Sequence, residues 1–292
     1  MNTVGVVGTL LGEEPNLYFL EIFAGVIQAA TAAGQTTTVF TLNDWHEAEH
    51  RVPLLCDGRI DGLIMLAPML TTTADAWLPA HTPIVSIHAN CELAGVVNLE
   101  TDDEAGACRM VAHLLQLGHR RILHIGGPVG SVGAERRVEG YLRAHAEAGV
   151  RCRVDDVVRT AFSYEGGRRA MEDWLQGHRG EPLPHAVFGA NDAIALGAVD
   201  TLRARGLQVP ADLSVVGFDN TVLARTARLA TVRQPLRELG ERALQALVAR
   251  IEGRRKGGQG EAAETAETIV LRTDIVAGLT LAAPRTTPLQ ID

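Results

Sequence analysis

From one end of the chain to the other, short β-rich runs alternate with longer segments whose apolar residues recur every three or four positions. The short runs are Val4–Val7, Thr36–Thr41, Gly62–Leu66, Ile84–Ile87, Arg121–Ile125, Val154–Thr160, Ala186–Phe188 and Ser214–Phe218, and their β-branched content predicts strands. The longer segments, Leu17–Ala33, Trp45–Leu55, Asp103–Leu117, Ala134–Ala148, Glu165–Leu175 and Asp192–Arg203, have the spacing of helices with one apolar face. Alternation of strand and helix of this kind predicts parallel sheets with helices on both faces, since each crossover must carry the chain back over the sheet. Gly34, Gly118, Gly149 and Gly206 each fall just past a predicted helix, where a left-handed residue closes the last turn.

The pattern restarts partway along. Gly95–Thr101 is extended and leads into a fresh strand-and-helix series at Asp102. Later, Thr231–Pro235 is extended again and precedes an amphipathic helix, Leu236–Ile251. A chain of 292 residues also sits where single cores stop growing, roughly 250–300 residues, so two lobes are expected. The predicted class is α/β, with two doubly wound parallel-sheet lobes joined by a multi-strand hinge. Crossings between lobes are expected near 98–102, 232–236 and 262–267. That assigns 1–101 with 236–264 to the first lobe and 102–235 with 265–292 to the second. Gly253–Glu267 is glycine-rich and charged and predicts a mobile surface loop, followed by a last strand, Thr268–Val276.

The most telling stretch runs from His185 to Asn220. Its first apolar run stops at Ala190-Asn191-Asp192, where an alanine-rich helix begins, and Asn191 or Asp192 would cap that helix. Gly206 and Pro210 end the helix before the second run, which itself ends at Asp219-Asn220. Two strands of one β-α-β unit thus finish in polar residues, as one wall of a ligand cleft would. Asp219 has two readings: a group that reaches a ligand, or a cap for a helix from Thr221 onward. Arg137 is either a solvated arginine, as its neighbour Arg136 would be, or a planar donor into the cleft. Phe162 is either core filler or an aromatic platform.

Composition narrows the function. The formal charge is -8 and the basic residues are scattered, so no face is positive enough to hold a phosphate backbone, and the chain is not expected to bind nucleic acid by itself. Cys56, Cys91, Cys108 and Cys152 lie far apart without a CxxC pair, which reads as reduced, mostly buried thiols. Without a basic leader or a long apolar run, a cytoplasmic protein with no membrane contact is expected. His46-Glu47-Ala48-Glu49-His50 fits the zinc-protease pattern HExxH, but its flanks, Asp44-Trp45 and Arg51 with Pro53, read as an exposed connector, and no third ligand follows. Phosphate loops and nucleophile elbows are missing, and Gly126-Gly127-Pro128 does not continue as GxGxxG. No catalysis, metal or cofactor is expected.

Several motifs, in this order, resemble one family. They are Gly118-His119-Arg120-Arg121-Ile122 with Gly126-Gly127-Pro128, Arg137-x-x-Gly140-Tyr141, and Ala190-Asn191-Asp192-Ala193-x-Ala195-x-Gly197. They continue with Gly206-Leu207-x-Val209-Pro210-x-Asp212-Leu213-Ser214-Val215-Val216-Gly217-Phe218-Asp219-Asn220 and Thr231-Val232-Arg233-Gln234-Pro235. Over nearly its whole length the chain resembles the effector-binding core of the lactose-repressor (LacI/GalR) family of bacterial transcription regulators, which has the fold of type I periplasmic binding proteins. The resemblance implies a small effector in the cleft, a homodimer, and operator DNA reached only through a helix-turn-helix domain. This chain opens directly on the first core strand, so that domain is expected to be missing from it. Position by position, the resemblance implies that Arg137 and Asp219 clamp polar groups of the effector and that Asn191 is a further polar contact. It implies that Phe162 stacks on the effector and that Gln234 sits beside the pocket. In the first lobe, Tyr18 and Phe19 match an aromatic pair that packs on the ligand or cleft rim, and Asp102 matches an acidic position at the lobe crossing. The loop Gly8–Pro15 departs from the family pattern, leaving the first-lobe contacts unread. The resulting expectation is the effector-sensing and dimerisation domain of a repressor that takes a sugar or sugar derivative. The alternative is a sugar-binding protein of a transport system.

Overall fold

In chain order the elements are β1 (Thr3–Gly8), α1 (Leu17–Ala32), β2 (Thr36–Thr41), α2 (Ala48–Leu55), β3 (Gly62–Leu66), β4 (Ile84–Ile87), β5 (Val97–Thr101) and α3 (Asp103–Gln116). There follow β6 (Ile122–Gly126), α4 (Val132–Glu147), β7 (Val157–Arg159), α5 (Tyr164–Gly177), β8 (Ala186–Gly189), α6 (Asp192–Ala204) and β9 (Ser214–Asp219). The chain ends with α7 (Val222–Ala227), β10 (Ala230–Arg233), α8 (Leu236–Arg255), β11 (Glu267–Leu271) and β12 (Asp274–Val276). The structure, a computed structural model, describes residues 2–9, 16–255, 267–287 and 289–291. Most of the expected loop Gly253–Glu267 and of the departing loop Gly8–Pro15 lies outside the described residues.

The chain divides into two units, Met1–Thr101 with Pro235–Leu271 and Asp102–Gln234 with Arg272–Asp292. The first holds a six-stranded sheet in the order β11-β5-β4-β3-β1-β2, parallel throughout. Successive residues of a strand point to opposite faces, and here both faces are covered. Ile64 and Leu66 of β3 join Ile22 and Val26 of α1 and Leu244 and Leu247 of α8 in one core, while Leu63 and Met65 join Trp45 and Val52 in another. Helix α1 begins where Asn16 accepts a hydrogen bond from the Phe19 N–H at 3.3 Å.

The second unit repeats the plan in the order β12-β10-β9-β8-β6-β7. Its strands pair in parallel except β12, which runs antiparallel to β10. Val187 of β8 packs with Ile194 and Ala198 of α6, and the neighbouring Phe188 packs on the other face with Tyr141 of α4 and Met110 of α3. Gly34, Gly118, Gly149 and Gly206 all have positive φ, as their places after helices require.

Three local expectations need correction. The segment predicted as a strand from Val154 to Thr160 opens with a 3-10 turn, Val154–Asp156, and only Val157–Arg159 pairs. The reason is Asp156, whose buried carboxylate is taken by Arg121 Nε at 3.1 Å and cannot sit in a regular strand row. The predicted last strand, Thr268–Val276, is two strands in two different sheets. The break is Thr273, whose N–H donates to Asp102 Oδ1 at 2.7 Å and whose carbonyl accepts from Arg109 at 2.8 Å. The last passage between units therefore follows Leu271 rather than falling at 262–267. Helix α7, Val222–Ala227, lies where the capping reading of Asp219 put a helix from Thr221 onward, and α8 runs one turn beyond Ile251.

Candidate functional site

In parallel sheets, ligands sit at the carboxyl ends of the strands, where helix N-termini and loops converge. In the second unit those ends collect Gly127 after β6, Phe162 after β7, Ala190 and Asn191 after β8, Asp219 closing β9 and Gln234 after β10.

Asp219 is the centre of this group. It is 4% exposed, and its Oδ1 accepts from Gln234 Nε2 at 2.6 Å and lies 3.9 Å from Arg137 Nη2. Its backbone is left-handed at φ 109°, and Asn220 follows at φ 60°. Side chains with a Cβ rarely occupy that region, and such strain persists only where the surroundings impose it. Asp219 does not cap the next helix: the N-cap of α7 is Thr221, which makes no side-chain capping bond. Burial pushes the Asp219 carboxyl well above the ordinary carboxylate range, with the Arg137 guanidinium opposing the rise and the negative Asp192 adding to it.

Arg137, on the second turn of α4, is buried rather than solvated. Its Nη1 donates to the Ala190 carbonyl at 2.7 Å and its Nη2 lies 3.5 Å from Asp103 Oδ2. The guanidinium carbon stands 4.0 Å over the Phe218 ring and 5.8 Å from the Phe162 ring centre. Arg137 Nε is buried without a hydrogen-bond partner among the described residues. Phe162 is half-buried against the core and lies against Gly127, where an added Cβ would overlap its ring.

Asn191 and Asp192 divide the labour that the sequence left open. Asn191 caps α6, accepting from the Ile194 N–H at 2.8 Å, which leaves its NH2 group to donate elsewhere. Asp192 turns inward and accepts from Thr221 and Thr231. Asp102 has both oxygens engaged within its own unit, by Arg109 Nη2 at 2.9 Å and by the Thr273 N–H, so it is placed as a brace rather than as a free acceptor.

In the first unit, Tyr18 and Phe19 part company. Phe19 faces the core with Ile22, Val26 and Ala30, because the helical spacing puts all of them on one side of α1; it is packing, not rim. The Tyr18 hydroxyl is hydrogen-bonded to His88 Nδ1. His88 is a polar residue that sequence reasoning missed. It directly follows β4 with φ 53°, and its Nε2 meets the Thr101 N–H at 3.0 Å. The signal was available, since the residue after a four-residue apolar strand is the same kind of position that singled out Asp219.

The HExxH segment is split, with Trp45–Glu47 in a 3-10 turn capped by Asp44 and His50 in α2; His46 and His50 are both exposed. Among the described residues no group of three His, Cys, Asp or Glu side chains could hold a metal ion. None of the described helices is long and apolar enough to cross a membrane. Cys56 and Cys108 are buried free thiols, and Cys91 and Cys152 are partly covered.

Comparison with known proteins finds the family described as periplasmic binding protein-like domain, matched over residues 111–277. The HTH-type transcriptional repressor PurR of Aliivibrio fischeri (strain MJ11) is 29% identical over 256 residues, covering 86% of this chain and 76% of that protein. The solved complex of the transcriptional regulator CelR with cellobiose superposes with a TM-score of 0.83 at 26% identity, covering 96% of this chain and 84% of that one. A LacI transcriptional regulator from a Rhodococcus species gives 0.81 at 28%, with 97% and 99% covered.

Proposed function

Because the chain belongs to the periplasmic binding protein-like domain family, in the form carried by LacI-type transcriptional regulators, we propose that it is the effector-sensing domain of such a regulator and that its effector is a sugar-like polyol. The relatives are transcriptional regulators rather than enzymes, and the chain is read as a sensor without catalysis. One observation carries the choice of site: a buried carboxylate, Asp219, held in a left-handed backbone at a strand end by Gln234 and facing Arg137.

The chemistry of that group suits a polyol. Each hydroxyl both donates and accepts, so Asp219 would accept hydrogen bonds from effector hydroxyls while Arg137 Nε and the Asn191 NH2 group would donate to ring or hydroxyl oxygens. Phe162 would cover an apolar sugar face. Hydroxyl donors to Asp219 favour its ionised form, so binding would release a proton and tighten as pH rises through the range where Asp219 holds one. The bound cellobiose of the CelR structure supports this ligand class.

The same proposal extends to a homodimer and to operator DNA contacted through a helix-turn-helix domain. Effector and operator affinities would then change by one common factor, because the coupling free energy is shared. A ligand alters a conformational equilibrium only through its differential affinity for the two forms, and a tenfold shift needs about 1.4 kcal/mol. The test is a thermal-shift screen of mono- and disaccharides, purines and organic acids. A ligand at 100 times its Kd raises stability by about 2.7 kcal/mol, easily visible as a shift in Tm. A polyol that binds wild type and is lost on Asp219→Ala supports the reading. A hit restricted to purines or acids, or a sugar bound equally by the variant, overturns it.

A further inference from the structure

Asp192 is buried to 1% exposure in the first turn of α6, and its oxygens are spent on two neighbouring segments. Oδ2 accepts from the Thr221 N–H at 2.7 Å and from Thr221 Oγ1 at 3.0 Å, while Oδ1 accepts from Thr231 Oγ1 at 2.6 Å. Thr221 is the residue immediately after the left-handed pair Asp219-Asn220, and Thr231 lies on β10, the strand that ends beside Gln234. Space for the carboxylate comes from Gly217 in β9, where an added Cβ would stand 2.6 Å from Asp192 Oδ1. A helix-borne acceptor is thus locked onto both segments that carry the Asp219–Gln234 hydrogen bond.

We propose that Asp192 is a positioning residue for Asp219: it pins the strained turn through Thr221, fixes β10 through Thr231, and couples its own charge to that of Asp219. This rests on the reading of Asp219 as a ligand group. Two non-glycine residues in succession with positive φ relax toward ordinary backbone unless something holds the chain on either side. On one side the hold is the β9 ladder, and on the other it is Asp192. The charged groups around the pair are Arg137 from α4, Asp103 from the start of α3, and the two carboxylates themselves. Asp103 and Asp219 lie 3.5 and 3.9 Å from the Arg137 guanidinium, and burial together with like charge favours the protonated forms of Asp192 and Asp219. Burial raises the Asp192 carboxyl, with hydrogen bonds from Thr231 and Thr221 opposing, and its charge raises Asp219 in turn.

The experiment needs no ligand. Aspartate labelled with 13C at the carboxyl is titrated by NMR in wild type, Asp192→Asn, Asp192→Ala and Thr221→Val, with Asp219→Asn identifying the Asp219 signal. Asp192→Asn keeps an acceptor for Thr221 and removes the charge, so the Asp219 midpoint should fall by about one pH unit or more. Asp192→Ala removes the pin as well, and the Asp219 signal should move toward an ordinary exposed carboxylate, with the Gln234 side-chain amide shifting alongside. Should Asp192→Ala fail to fold, Thr221→Val tests the pin alone and should perturb the same two signals. An Asp219 midpoint unchanged in Asp192→Asn, or Asp219 and Gln234 signals unmoved in the other variants, overturns the proposal. Failure here leaves the sugar screen standing, and failure of the screen leaves this titration standing.

Discussion

Gln234 Nε2 donates to Asp219 Oδ1 over 2.6 Å while the Gln234 N–H donates to the Asp219 carbonyl at 3.2 Å, so one residue holds the other by both backbone and side chain. The carboxylate is therefore presented at a fixed angle, which is the condition for selective recognition of a hydroxyl pattern.

Replacing Asp219 by Ala should weaken binding of the polyol returned by the screen by about 2–3 kcal/mol, roughly a hundredfold in Kd, the usual cost of losing a hydrogen bond to a charged group. Asp219→Asn separates binding from stability. Because the folded state raises this carboxyl above its unfolded value, its contribution to stability is present below the usual carboxylate range and is lost as pH climbs from there toward the folded value. At neutral pH the neutral Asn variant should therefore be the more stable protein, and the gap should close toward pH 4. Urea midpoints at acid and neutral pH measure it; a variant less stable than wild type at neutral pH would contradict the buried-charge account.

Gly127 is required by the Phe162 ring, which occupies the space of the missing Cβ. Gly127→Ala should force the ring aside at a cost of about 1–3 kcal/mol, as overpacking does. Since Phe162 also stands beside the Arg137 guanidinium, the same change should weaken ligand binding with the secondary structure intact. Calorimetry beside far-UV circular dichroism checks both halves. Phe162→Leu should lower affinity with little loss of stability.

The alternation of runs was enough to read the α/β class and most element limits, because a strand buried on both faces can only be a continuous apolar run. What escaped was set by single polar residues acting at a distance. Asp192 reads as a helix cap in sequence, and its real partners, Thr221 and Thr231, lie 29 and 39 residues away. Thr273 splits one apparent strand into two because of Asp102 and Arg109, far earlier in the chain. Gln234 entered the site only through family resemblance, since an isolated Gln before Pro235 carries no chemical signature of its own. His88 could have been found by asking which polar residues end apolar strands.

His124 gives the second unit an acid-sensitive core. It is fully buried between Tyr141 and Phe188, with ring centres at 5.3 and 4.8 Å, and its Nδ1 lies 2.9 Å from the Phe188 carbonyl. Burial pushes its pKa down to about 4, with Arg159 and Arg137 adding to the fall and the Phe188 carbonyl opposing it. The neutral ring belongs to the folded state and the unfolded chain takes up the proton first. Its contribution is therefore present above the unfolded value of 6.5 and is lost as pH falls from there toward about 4. The loss approaches about 1.4 kcal/mol per pH unit within that window. His124→Phe keeps the stacked ring and removes the titration, so its stability curve should be flatter than wild type between pH 6 and pH 4.5 by about that slope. Parallel curves would show that His124 does not titrate on unfolding.

Asp102 offers the sharpest contrast between a brace and a ligand contact. Its carboxylate joins Arg109 on α3 to the Thr273 N–H, tying the start of the second unit to the segment that returns to it before β12. Asp102→Ala would leave the Thr273 N–H and the Arg109 guanidinium each one acceptor short, a loss of about 1–3 kcal/mol for a partly buried charged hydrogen bond. Arg109 retains the Thr273 carbonyl and hydroxyl, so the loss should stay at the lower end. If Asp102 is a brace, the urea midpoint drops and the polyol Kd, measured well below that midpoint, stays within about twofold, since additivity holds for a site with no shared partners. A tenfold rise in Kd with the midpoint unchanged would instead make Asp102 a ligand contact.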